Sequence, residues 1–193
     1  MRHNILRDIE GRLLEKVCKD VQIEPELLPS NNEISGNTAE KARLDISARG
    51  VWAIQEKTFF DIRVTHPNAA SNMSKSLEAI YDQNEKQKKR FYNERVMQVE
   101  KASFTPLVFM TTGGMGKECA LFNKRLASMI AEKTKEQYSQ VMGHIRTRLR
   151  FALLKSTLVA VRGYRGKSNN AAEREEDEID FNLIPEETTY ETY

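Results

Sequence analysis

The sequence predicts an α/β domain, a mixed central sheet with flanking helices and two further helices at its C-terminal side. Three observations carry this. Ile5, Ile9, Leu13 and Val17 form one helical stripe, widened by Leu6 and Leu14. Two strand-like runs, Ala42 to Arg49 and Thr58 to Thr65, are separated by a short turn region that begins at Gly50. A later run, Leu107-Val-Phe-Met110, has the density of a buried strand and lies between long helical patterns.

Taken in order, the first helix is expected from Asn4 to Lys19. A short extended piece follows from Val21 to Leu28, with Pro25 placing it at an edge or breaking it. Pro29 to Asn37 reads as a polar loop punctuated by Gly36. Ala42 to Arg49 and Thr58 to Thr65 make a hairpin, with Trp52 near the turn placed to cover the core edge. A long polar helix is expected from Ser74 to Lys101, packing through Leu77, Ile80, Tyr81, Phe91, Val96 and Val99. The strand Phe104 to Thr111 comes next, then the loop around Thr112-Gly113-Gly114-Met115-Gly116, then a helix to Lys133. The last helix spans Glu136 to Arg162. Its part from Phe151 to Val161 is apolar almost all round, so burial is expected there. From Gly163 the composition turns to Gly, Ser, Asn and acids. This gives a domain over residues 1–166 and a disordered acidic tail over residues 167–193.

With 193 residues the chain suits one domain, large enough to fold on its apolar core without disulfide or structural metal. Cys18 and Cys119 have no metal-ligand spacing, which fits buried apolar thiols in a reducing compartment. The N-terminal residues lack the apolar run of a signal peptide, and no segment has the length of a membrane span. An intracellular protein, nuclear or cytoplasmic, is the expectation. The formal net charge of +2 hides an asymmetry. Of 30 basic and 28 acidic residues, the segment from Glu173 to Tyr193 holds one and nine, leaving 29 against 19 in the rest. Such a surplus suits a polyanionic partner such as nucleic acid.

The chemistry-bearing pattern lies on the hairpin. In a strand, side chains alternate faces, so Asp61 and Arg63 project together while Phe60, Ile62 and Val64 face the other way. Asp45 similarly interrupts Leu44 and Ile46 on the preceding strand. A carboxylate inside a strand is costly unless paired or bound to a cation. Two acids and a cation on adjacent strands are what metal-assisted phosphodiester hydrolysis uses. A cross-strand Asp–Arg ion pair at a sheet edge is the structural alternative.

Asp45, fifteen intervening residues, then Asp61-Ile62-Arg63 resembles the PD-(D/E)XK signature of the restriction-endonuclease-like superfamily. The order of elements resembles its αβββαβ core. The run from Ala42 to Arg162 looks like the endonuclease-like domains of animal retroelement proteins. Ala42-Arg-Leu-Asp-Ile-Ser-Ala-Arg-Gly-Val-Trp52, Phe59-Phe-Asp-Ile-Arg-Val-Thr-His-Pro-Asn-Ala69 and Ser103-Phe-Thr-Pro-Leu-Val-Phe-Met-Thr-Thr-Gly-Gly114 carry this likeness. The resemblance implies a metal-dependent DNA endonuclease of mobile-element origin. Asp45 and Asp61 would ligate Mg²⁺ (or Mn²⁺), and Asp45, Asp61 and Arg63 would form the catalytic set. Arg63 stands where the family has its lysine, and arginine does not readily lose a proton. A catalytically weak or inactive nuclease-fold module, binding nucleic acid or a protein, is the alternative it leaves. Lys57, an even number of residues from Asp61, is a candidate displaced lysine, and Glu10 or Glu15 candidate extra acids. Gln83, Gln87 and Tyr92 match glutamine and tyrosine positions of some family members loosely.

Lys86, Lys88, Lys89 and Arg90, with Arg95, form a basic stretch for tracking a DNA backbone. Glu85 and Glu94 within it equally suit a solvated face. Arg146, Arg148 and Arg150 form a second cluster. Thr111 to Glu118 departs from a P-loop at both ends, so a tight turn is expected, with the following helix N-terminus open to a DNA phosphate. His3, His66 and His144 are too dispersed for a zinc site, and His66 is expected at a turn.

Overall fold

The structure, a computed structural model, describes residues 2–29, 39 and 41–165. The acidic tail expected over residues 167–193 lies outside the described residues. In chain order the elements are α1 (Arg2–Glu15), β1 (Lys19–Ile23), β2 (Ile46–Arg49), β3 (Lys57–Thr65), α2 (Leu77–Gln98), β4 (Ser103–Met110), α3 (Lys117–Thr134) and α4 (Tyr138–Arg165). The strands form one sheet in the order β1-β2-β3-β4. The first three are antiparallel, and β4 runs parallel to β3, reached through the α2 crossover. The expected mixed sheet with flanking helices is therefore present.

Helix α1 stops at Glu15, short of the expected Lys19. Val17 and Cys18 donate to the Leu14 carbonyl at 3.0 and 2.7 Å, closing the helix, and Lys19 already pairs in β1. In β1 a bulge falls between Lys19 and Gln22, where Asp20 has φ 51°. The expected strand from Ala42 is shorter: Arg43 makes an isolated bridge to Glu26, and continuous pairing begins only at Ile46. Gly50 closes β2 with φ 100°, a left-handed conformation that other residues adopt at a cost, and its N–H donates to the Glu56 carbonyl. Helix α2 starts after Ser76, whose side chain accepts from the Ala79 N–H at 3.2 Å. Such a cap is worth about 1 kcal/mol.

The sheet lies between two unequal layers. On one face Phe60, Ile62, Leu107 and Phe109 pack against Leu6 and Leu13 of α1, Phe122 and Leu126 of α3, and Ile145 and Leu149 of α4. The Phe60 and Phe122 rings lie 4.8 Å apart. Each such fully buried side chain contributes about 1.5–3 kcal/mol relative to exposure. On the other face α2 covers a smaller cluster of Leu27, Ala42, Leu44, Phe59, Val96, Ala102 and Phe104. Trp52 is half-buried against the larger cluster, as expected near the turn, and donates from Nε1 to Thr105 Oγ1 at 3.1 Å. Cys119 is buried as expected, while Cys18 is half-buried; both are free thiols. Among the described residues no helix is long and apolar enough to cross a membrane.

Two packing expectations are corrected. Of the apolar residues expected to seat α2, Leu77 and Phe91 are exposed, and Asn84, Glu85 and Arg95 are buried instead. Arg95 is held by the Ala39 and Leu28 carbonyls, which accept from Nη1 and Nη2 at 2.8 Å each. In α4 the stretch from Phe151 is not sealed. Ala152, Leu153 and Ser156 are buried, while Phe151, Leu154, Leu158 and Val159 are exposed. Helices α1 and α3 cover one side of α4 only, and its second apolar stripe faces away from them.

Candidate functional site

Strand β3 splits its side chains as alternation requires. Phe60 and Ile62 enter the large cluster, and Asp61 and Arg63 face α2. Ile46 pairs with Phe60 as the last pair of the ladder, and Asp45, next along the chain, is close enough to act on the Asp61 carboxylate. The strands begin to part here. The Asp45 N–H still donates to the Phe60 carbonyl at 3.1 Å, but the return bond is made by a side chain. The Ile62 N–H donates to Asp45 Oδ2 at 2.6 Å. A carboxylate thus replaces a backbone carbonyl at the end of the ladder, which explains why regular pairing starts one residue later.

A basic side chain stands beside each acid. Nε2 of His3, from the first turn of α1, lies 2.9 Å from Asp45 Oδ2. This hydrogen bond to Asp45 raises the imidazole pKa above its ordinary value, against the opposing effect of burial. The Lys88 ammonium, from α2, touches Asp61 Oδ2. That oxygen is sealed from water and meets Lys88 as a charge pair rather than an aligned hydrogen bond. Burial pushes the Asp61 carboxyl above its ordinary range; Lys88 pulls it down and Asp45 pushes it up. The result is a row of alternating neighbours, His3, Asp45, Asp61 and Lys88, spanning from α1 to α2 across the sheet.

Asp45 and Asp61, expected together from the sequence, are brought together. Arg63 lies on the same face as Asp61, but its Nη1 donates to Gln87 Oε1 at 2.9 Å rather than to an aspartate. That removes the cross-strand Asp–Arg pair. Lys57 is at the far end of β3, over the Phe59 ring at 4.5 Å, and is not a displaced site lysine. Glu15 is exposed. Glu10 is fully buried elsewhere, between α1 and α3, where Asn123 Nδ2 donates to its Oε1 at 3.2 Å. Burial pushes the Glu10 carboxyl up to about 7.

The basic stretch of α2 divides. Lys86 and Arg90 are exposed, Lys88 turns in to Asp61, and Lys89 pairs with Glu118 at 2.7 Å. Among the loosely matched positions, Gln87 holds Arg63, Gln83 accepts from Lys75 at 2.8 Å, and Tyr92 packs on Phe104 with ring centroids 5.7 Å apart. His66 bonds Thr111 Oγ1 at 2.7 Å, at the strand ends and away from the acids. The helix N-terminus expected to face a phosphate is already filled: Glu85 Oε1 accepts from the Glu118 N–H at 3.1 Å. The preceding loop is a tight turn, with Gly113 at φ 92° and the Tyr81 hydroxyl against Gly114.

Sequence reasoning missed His3 and the inward role of Lys88. Both carried a signal. His3 lies one turn before Leu6 on the buried stripe of α1. Ile80, Asn84, Lys88, Tyr92 and Val96 recur every fourth residue along α2. Among the described residues no group of three or more His, Cys, Asp and Glu side chains is arranged to hold a metal ion. The site offers two adjacent carboxylates, a donor set that suits a small hard cation which keeps several water ligands and takes others from phosphate. Compared with protein-family models and with curated proteins, the chain finds no match.

Proposed function

We propose that the chain hydrolyses phosphodiester bonds in DNA, with Asp45 and Asp61 holding Mg²⁺ or Mn²⁺. The observation that carries this is Asp45, bonded to the Ile62 N–H, beside Asp61 at the parting of β2 and β3, with Lys88 against Asp61. The αβββαβ order, with β4 parallel to β3, supports a restriction-endonuclease-like core of the kind the motif resembles. The bound cation would supply charge for the developing phosphorane and lower the pKa of a water.

The chain's own residues supply the rest. His3 and the Ile62 N–H orient the Asp45 carboxylate. Lys88, rather than Arg63, is the cation next to the acids, and an ammonium can give up a proton where a guanidinium cannot. Arg63, steadied by Gln87, is left to clamp a phosphate. Lys86 and Arg90, exposed on the outer side of α2, give the DNA backbone a nearby positive surface.

A second reading, a DNA-binding module that does not cut, is favoured by one observation. Both acids already have a partner within the chain, Lys88 against Asp61 and His3 hydrogen-bonded to Asp45. A titration with Mg²⁺ and Mn²⁺ separates the two. Under the nuclease reading either ion raises the melting temperature, Asp45→Ala and Asp61→Ala each abolish that rise, and plasmid cleavage disappears with it. Lys88→Met then lowers cleavage by about 100-fold or more. DNA binding that weakens with salt, together with a melt unmoved by either ion, leaves the non-cutting module.

A further inference from the structure

The second stripe of α4 is an apolar surface exposed among the described residues. Phe151 is 60% exposed, Leu154 55% and Leu158 49%, with Val159 beside them. At 100° per residue the three larger side chains share one side of the helix, with Arg148 and Lys155 along one border and Arg150 along the other. The surface is thus apolar with basic margins.

One segment of this chain has the complementary pattern. From Glu175 to Glu187 the sequence reads Glu-Glu-Asp-Glu-Ile-Asp-Phe-Asn-Leu-Ile-Pro-Glu-Glu, an apolar run with acids on both sides. Reach permits the contact. Returning from Arg165 to Phe151 covers roughly 21 Å along the helix. The thirteen residues between Arg165 and Ile179 can span about 43 Å when extended.

Area decides between this occupant and a second copy. Four half-exposed side chains offer on the order of 400 Å² of apolar surface, against roughly 800 Å² per partner in a standard stable interface. A patch that small holds a free partner poorly. It suffices for a tethered one, because a short linker gives an effective concentration in the millimolar range.

We propose that residues 175–187 dock back onto the Phe151, Leu154 and Leu158 face of α4 in the same molecule. Ile179, Phe181 and Leu183 cover the stripe, and the flanking acids meet Arg148, Arg150 and Lys155. The proposal stands independently of the nuclease reading. It would place an acidic segment on one of the basic surfaces of the domain.

The test uses the full-length chain at micromolar concentration, as an equal mixture of ¹⁴N- and ¹⁵N-labelled protein. A zero-length carbodiimide reagent joins carboxylates to amines, and mass spectrometry identifies the linked peptides. The expected products join Lys155 to acids of residues 175–187 within a single isotopic chain. Their yield should fall about tenfold in Phe181→Ser/Leu183→Ser, which removes apolar contact without altering charge. Leu158→Ser, on the other side of the contact, should give a similar loss. Mixed-isotope products would overturn the proposal in favour of a second copy on α4. A yield unchanged in the tail variant, or an absence of linked products, would overturn it outright.

Discussion

Against the sheet face covered by α1, α3 and α4, rings and aliphatic chains fill most of the space, Phe60 on Phe122 with Leu107, Phe109 and Leu126 around them, and Glu10 with Asn123 is the polar exception. Against the face covered by α2, Asp61, Asn84, Glu85 and Arg95 are buried beside a cluster about a third as large. The first layer depends on volume. The second depends on particular partners: carbonyls for Arg95, an ammonium for Asp61, a helix N-terminus for Glu85. Apolar packing is indifferent to pH, whereas a buried charge is stable only while its partner is present and correctly protonated. The second face is the one onto which Asp61 and Arg63 project, and under the nuclease proposal it would carry the chemistry.

The sharpest way to break the comparison is to empty the apolar layer. Phe122→Ala should cost about 4 kcal/mol, from lost transfer energy and the cavity left behind. The denaturation midpoint should fall by a similar free energy at pH 5 and pH 8. A strongly pH-dependent loss would mean that this layer is coupled to a titrating group.

Such a group exists inside it, and it gives the next effect. Glu10 Oε2 and Asn123 Oδ1 are both buried acceptors without a hydrogen-bond partner. A proton on Glu10 removes a charge that burial disfavours. With a folded pKa of about 7, Glu10 keeps its proton where the unfolded chain has lost it. Native stability therefore falls as pH rises from about 4.5 to about 7, by on the order of 3 kcal/mol. Glu10→Gln, neutral throughout, should recover up to about 3 kcal/mol at pH 8 and change little at pH 4.5. Chemical denaturation at the two pH values reads this directly. Equal effects at both would show that Glu10 is charged in the folded state.

The smallest expected effect sharpens the polar side. Lys88→Met leaves Asp61 buried without its cation and drives an already raised carboxyl pKa higher. The loss should be about 1–2 kcal/mol at neutral pH, below that of a fully buried pair because Lys88 is partly exposed. It should shrink toward pH 4, as protonation removes the stranded charge. A loss of the same size across the range would reduce Lys88 to packing.

How far the sequence could be read follows the same division. The β2–β3 hairpin, β4 and the apolar stripe of α1 were legible because alternation and helical spacing report apolar burial directly. Asp45 and Asp61 were legible as acids inside strand patterns. Lys88, Arg95 and Glu85 were not, because a count of apolar residues along α2 assigns its inward side to Leu77 and Phe91, which face solvent. The same count sent Phe151 and Leu158 of α4 inward. An apolar residue marks burial only when an element is there to cover it, and single-helix periodicity carries no information about that. His3 escaped because its partner, Asp45, is distant in sequence.

Helix α2 holds Tyr81 over Gly114, Glu85 at the start of α3, Lys88 on Asp61, Tyr92 on Phe104 and Arg95 among carbonyls, at steps of three or four residues. Each step keeps the next group on the same side of the helix. A single added residue between Glu85 and Lys88 would turn everything beyond it by about 100°. The loop anchor and the site lysine could not then both be in place. Single substitutions on the outer surface of this helix leave these anchors in place, but its length between them cannot change by one, so a segment that looks like an ordinary solvated helix is intolerant of insertion.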